Sequence, residues 1–85
     1  MKVPITRSVQ RIITAIHEAP EPMTALAICR ATGRWPGTVY PALDRLERAG
    51  WIRGGPHPTR DGARVYHLTH LGQIRAGLEP STTPE

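Results

Sequence analysis

Apolar residues recur near the start of the chain at helical spacing. Val9, Ile12, Ile13 and Ile16 fall at i, i+3, i+4 and i+7, one stripe of an amphipathic helix. Thr6 or Ser8 is placed to cap its start, and Pro20 and Pro22 require it to end by Ala19. Met23 and Thr24 then read as a short extended stretch. Thr24 caps a second, shorter helix over 25–31, closed by Thr32-Gly33 in the position glycine favours, with Leu26 and Cys29 or Arg30 on its inner edge. Arg34-Trp35-Pro36-Gly37 makes a tight connection.

A third helix is predicted over about 37–49. Val39, Leu43 and Leu46 give it an apolar face, and Gly50 ends it. A start near Gly37 or Thr38 places Pro41 in the first turn, where its missing N–H costs little; a start at Pro36 would lose one backbone hydrogen bond. Trp51-Ile52-Arg53 reads as a strand and 64–69 as its partner, separated by a turn-rich loop over 54–63. In the second strand Tyr66 and Leu68 alternate with Val65 and His67, the pattern of one face in and one face out. Thr69 caps a last helix with apolar positions Leu71, Ile74 and Leu78, reaching no further than Glu79, and 80–85 is a polar tail expected to be disordered. Trp35 and Trp51 flank the third helix and are expected to cover core edges.

This order predicts a mainly α fold with a small β-hairpin, an α+β winged helix-turn-helix. It has a three-helix core, a two-stranded wing and a short C-terminal helix, all in one domain over 1–79. With 85 residues in total, there is room for one core and no second domain.

Charge sharpens the picture because of where it lies. Arg30, Arg34, Arg45, Arg48, Arg53, Arg60 and Arg64 face only Asp44, Glu47 and Asp61 in that stretch, which carries the whole net charge of +4. A basic block inside a folded segment attracts polyanions. At about 100° per residue, Gly37, Thr38, Pro41, Asp44, Arg45 and Arg48 lie roughly opposite the apolar face of the third helix, with Tyr40 on the flank. A helix with one buried face and one such outer face suits the major groove of duplex DNA, about 12 Å wide. Arg34 precedes it. Arg60 and Arg64, in the glycine- and proline-rich wing, suit phosphate or minor-groove contact. The blander alternative is a solvated helix whose arginines pair with Asp44 and Glu47.

Residues 37–52, Gly-Thr-Val-Tyr-Pro-Ala-Leu-Asp-Arg-Leu-Glu-Arg-Ala-Gly-Trp-Ile, resemble the recognition-helix signature of PadR-type transcriptional regulators. Arg64-Val65-Tyr66-His67-Leu68-Thr69, with Gly72 following, is similar to that family's second wing strand and next helix. The resemblance implies a homodimeric, usually repressing regulator that binds a palindromic operator in double-stranded DNA, with Thr38, Tyr40 and Pro41 at the DNA surface. PadR-type proteins usually continue into a long C-terminal dimerisation helix. Here the last helix is short, so dimerisation is expected through the first and last helices, and a small-molecule effector stays open.

Other chemistries find little support. There are no paired carboxylates, no nucleophile with a base partner and no phosphate-binding glycine loop, so an enzyme is not expected. Cys29 is alone, and His17, His57, His67 and His70 do not share a helix face, so no metal or other cofactor is expected. No apolar run is long enough to cross a membrane, and a cytoplasmic protein is expected. Two alternatives share the same composition: a winged-helix adaptor for protein partners, and an architectural or recombination-accessory DNA-binding protein.

Overall fold

The computed structural model describes residues 5–77. Helices α1 (Arg7–Glu18), α2 (Ala25–Thr32) and α3 (Pro36–Arg48) are followed by strands β1 (Ile52–Pro56) and β2 (Arg64–Leu68) and a short helix α4 (His70–Arg75). The strands pair antiparallel, Ile52 opposite Leu68 and Pro56 opposite Arg64. Leu78, Glu79 and the tail over 80–85 lie outside the described residues.

Threonine hydroxyls start three of the four helices. Thr6, Thr24 and Thr69 accept hydrogen bonds from the backbone N–H groups of Val9, Ala27 and Gly72 at 3.0–3.1 Å, satisfying donors that the first helical turn leaves unpaired. Gly33 (φ 70°) and Gly50 (φ 83°) end α2 and α3 in the left-handed region, where a Cβ would strain the backbone.

The core gathers where the three long helices meet the hairpin. Val9, Ile12, Ile13 and Ile16 of α1 pack with Ile28 and Cys29 of α2, Val39, Leu43 and Leu46 of α3, and Trp51, Ile52 and Tyr66. Full burial of each large aliphatic side chain contributes about 1.5–3 kcal/mol. The inner face of α2 differs from expectation. Ala25, Ile28, Cys29 and Thr32 are buried, while Leu26 and Arg30 face solvent. Ile28 is fully buried, and Leu26, two positions earlier, necessarily lies on the far side of a helix.

Three further expectations are corrected. Helix α3 begins at Pro36, with Trp35 as its N-cap, so Pro41 sits inside the helix and the Gly37 carbonyl loses its in-helix donor. Gly54, Gly55 and Pro56 belong to β1, whose pairing with β2 shortens the connecting loop. Glycine and proline at these positions are tolerated because the sheet has only two strands and β1 has an open outer edge. In β2, Val65 and Tyr66 are both buried. Adjacent strand residues point to opposite faces, so both faces of the hairpin are covered there. The Tyr66 N–H also donates to Met23 O at 2.9 Å, forming a single-residue bridge that realises the extended stretch before α2.

The last helix packs through its glycine rather than its large apolar residues. Gly72 is buried in α4, and a Cβ there would collide with the Trp51 carbonyl, while Leu71 and Ile74 are exposed. Thr69 fastens the junction: its backbone N–H donates to Trp51 O at 2.9 Å and its hydroxyl donates to Gly50 O at 2.6 Å.

Candidate nucleic-acid interface

Helix α3 packs on α2 and β1 and divides cleanly into two faces. Val39, Ala42, Leu43 and Leu46 are buried. Gly37, Thr38, Tyr40, Pro41, Asp44, Arg45 and Arg48 are exposed. The outward set expected from helical spacing is therefore assembled on one continuous surface, with small residues toward the N-terminal end and arginines further along.

The arginines are not equivalent. Arg48 Nε lies 3.2 Å from Asp44 Oδ2, an exposed i,i+4 pair of the kind that contributes little to stability. Arg45 has no ion-pair partner among the described residues and projects its guanidinium from the exposed face. Arg34, in the turn before α3, is half-buried, and its Nε is enclosed without a hydrogen-bond partner. A shielded guanidinium N–H that stays unpaired costs about 1–3 kcal/mol.

The hairpin is tied to α3 by Arg64. Its Nη2 lies 2.8 Å from Glu47 Oε2, and its guanidinium passes so close over Gly54 that a Cβ there would collide with it. Arg64 thus spans from β2 across β1 to α3. Of the two carboxylates available to the helix arginines, Asp44 pairs with Arg48 and Glu47 with Arg64 of the wing.

The hairpin tip folds around an imidazole. His57 Nδ1 accepts the backbone N–H groups of Thr59 and Arg60, each at 3.1 Å, and the His57 N–H donates to Ala63 O at 3.0 Å. With Nδ1 accepting, the neutral ring carries its proton on Nε2. Arg60 stands exposed on this closed turn. The structure therefore brings Arg34, Gly37, Thr38, Tyr40, Pro41, Arg45 and Arg48 together in and beside α3. Arg64 is the link to the wing, and Arg60 is at the wing's tip.

Arg53 and Trp35 are exposed as well, although neither was expected at the interface. Arg53 points outward from β1 beside the buried Ile52, and strand alternation was the signal for it. Trp35 is 80% exposed and covers no core edge, unlike Trp51, which is buried in the core. The signal was its place in a surface turn before Pro36-Gly37.

A family model described as the transcriptional regulator PadR-like family matches residues 21–77, a stretch that runs from the turn before α2 through α4. The chain belongs to the PadR-like family of transcriptional regulators. No match was found among curated proteins. Among solved structures, a mutant of S. aureus MepR superposes with a TM-score of 0.79 at 22% identity, covering 86% of this chain and 54% of that one. The zinc-responsive MarR family member ZitR of Lactococcus lactis gives 0.74 at 19% identity, covering 91% and 52%. Bordetella bronchiseptica BpsR, whose DNA binding is regulated by 6-hydroxynicotinic acid, gives 0.79 at 16% identity, covering 86% and 51%. At these identities the likeness is one of fold, the winged helix, and the chain spans about half the length of each of these proteins. Among the described residues no helix is long and apolar enough to cross a membrane.

Proposed function

We propose that this regulator represses transcription by binding double-stranded DNA sequence-specifically as a homodimer, with α3 in the major groove and the hairpin on phosphates or the minor groove. The observation that carries the reading is the division of α3. One face is sealed into the core, and the other combines small residues at the N-terminal end with an Arg45 that has no ion-pair partner among the described residues. Recognition helices contact base edges with their N-terminal residues. Gly37 and Pro41 let the backbone approach the bases. Thr38 and Tyr40 offer hydroxyls, and Arg45 and Arg48 reach guanine N7/O6 edges or phosphates. Arg34 and Arg60 contact phosphate on either side of the groove. Arg64 keeps donors for phosphate while its pair with Glu47 holds the wing at a set angle to α3.

The dimer is assigned to α1 and α4. Leu71 and Ile74 of α4, together with Ile5 just before α1, are exposed apolar residues suited to a second copy. Two half-sites one turn of DNA apart are the usual solution for such readers.

The test is recovery of genomic fragments by the purified protein, beside an Arg45→Ala, Arg48→Ala variant. A short palindrome enriched by the wild type and lost by the variant supports the reading. Equal recovery by both proteins, or no recovery, contradicts it and moves a protein-interaction adaptor ahead.

A further inference from the structure

Trp35 is the N-cap of α3, yet its indole is 80% exposed and makes no side-chain cap hydrogen bond. The other three helices start on threonines that do cap. Tryptophan ranks among the more buried residue types on average, and serine, threonine, aspartate or asparagine stabilise an N-cap far better than an apolar residue. Two local preferences are therefore violated at one position, and the core receives little in return. Its carbonyl accepts from the Thr38 and Val39 N–H groups, both at 2.9 Å, a role any residue fills through its backbone. Among the described residues the side chain makes no cap hydrogen bond and buries little of its surface.

Its surroundings say what the indole meets. It stands at the N-terminal end of α3, between Arg34 and the open backbone of Gly37, where an added Cβ would touch nothing. Charge on this edge is cationic, with Arg34 beside it and, further along the helix, Arg45 without an ion-pair partner among the described residues. That complements a polyanion and disfavours a basic or purely apolar partner.

We infer that Trp35 is a sequence-reading residue, packing its indole on the 5-methyl group of a thymine in the major groove. The inference rests on the DNA-binding reading above and deepens it. Thymine alone presents a methyl group in that groove, and apolar side chains read it by contact. The flat indole covers a methyl without the conformational entropy that a long flexible side chain loses on ordering.

The experiment uses the duplex that the wild-type chain selects from a random pool, and a Trp35→Ser variant beside Arg45→Ala. The serine variant restores a capping hydroxyl and raises Tm by about 4 °C, while its affinity for the selected duplex falls about tenfold. Replacing thymines one at a time by uracil, which lacks only the methyl, weakens the wild type about fourfold at one position per half-site. The same replacement leaves the serine variant unchanged.

Trp35→Ser binding as tightly as wild type, or every uracil weakening both proteins alike, overturns the inference. A fall in Tm would make Trp35 a structural residue and overturn it too. If Arg45→Ala loses binding while Trp35→Ser keeps it, the DNA reading stands and this inference alone fails. If the wild type selects no duplex, both fall together.

Discussion

A Cβ at Gly37 would meet no atom of the described residues within 4 Å, whereas one at Gly72 would run into the Trp51 carbonyl. The two glycines therefore answer to different constraints. Gly72 is required by the fold, because α4 lies directly against the backbone that follows α3. Gly72→Ala is expected to destabilise the protein by about 1–3 kcal/mol, as overpacking does, read as a lower denaturation midpoint at an unchanged denaturant slope. Gly37 is required by nothing inside the molecule. Gly37→Ala is expected to leave stability unchanged or to raise it by up to about 1 kcal/mol, while weakening binding to a selected duplex at least tenfold. Equal binding by this variant would remove close backbone approach from the account. Among the arginines, too, position in sequence said less than partners do: Arg45 and Arg48 are alike on a helical wheel, but Arg48 meets Asp44 at 3.2 Å and Arg45 has no ion-pair partner among the described residues.

Helix α3 carries a proline in its interior, and a stable packing face outweighs it. Val39, Leu43 and Leu46 are almost wholly buried, which offsets the lost Pro41 N–H. Pro41→Ala restores that hydrogen bond to Gly37 O and is expected to stabilise the domain by about 1–3 kcal/mol in thermal or denaturant unfolding. A destabilised variant would mean that Pro41 packs or bends the helix in a needed way.

The elements show why the pattern was readable in some places and misleading in others. The stripe over Val9, Ile12, Ile13 and Ile16 is long enough to fix a face, and all four residues are buried as the spacing predicts. In α2 only eight residues give barely two turns, so Leu26 looked like a core position although Ala25, Ile28 and Cys29 are the apolar residues buried there. Gly54-Gly55-Pro56 read as loop because these residues have low strand propensity. They are strand because β2 supplies partners, a contact local propensity does not register. Burial of Val65 and Tyr66 together likewise depends on tertiary contacts above and below the hairpin. For the candidate site, the outward residues of α3 were legible from period alone. The Arg64–Glu47 pair, 17 residues apart, and the exposure of Trp35 depend on how the wing and the turn fold back in space.

For the whole molecule, a basic surface and exposed apolar positions are both left open. The basic surface runs over α3, its preceding turn and the wing. The apolar positions left open are Leu71 and Ile74 on α4 and, separately, Ile5 ahead of α1. If the α4 pair joins two copies, Leu71→Glu with Ile74→Glu yields monomers in sedimentation while circular dichroism keeps the helical content. The paired change is also expected to weaken operator binding without touching α3. Dimers persisting unchanged in that variant would place the interface elsewhere.

The central claim, that the basic surface is a DNA-binding surface, is tested most directly by titrating salt against binding to the selected duplex. Each neutralised phosphate releases counterions, so log K falls against log salt with a slope of about −0.9 per contact. The arrangement of Arg34, Arg45, Arg48 and Arg60 predicts roughly 4–8 contacts per dimer and a correspondingly steep slope, made shallower by about one contact per protomer in Arg45→Ala. Binding that is insensitive to salt, or a slope identical in the two proteins, would contradict the account.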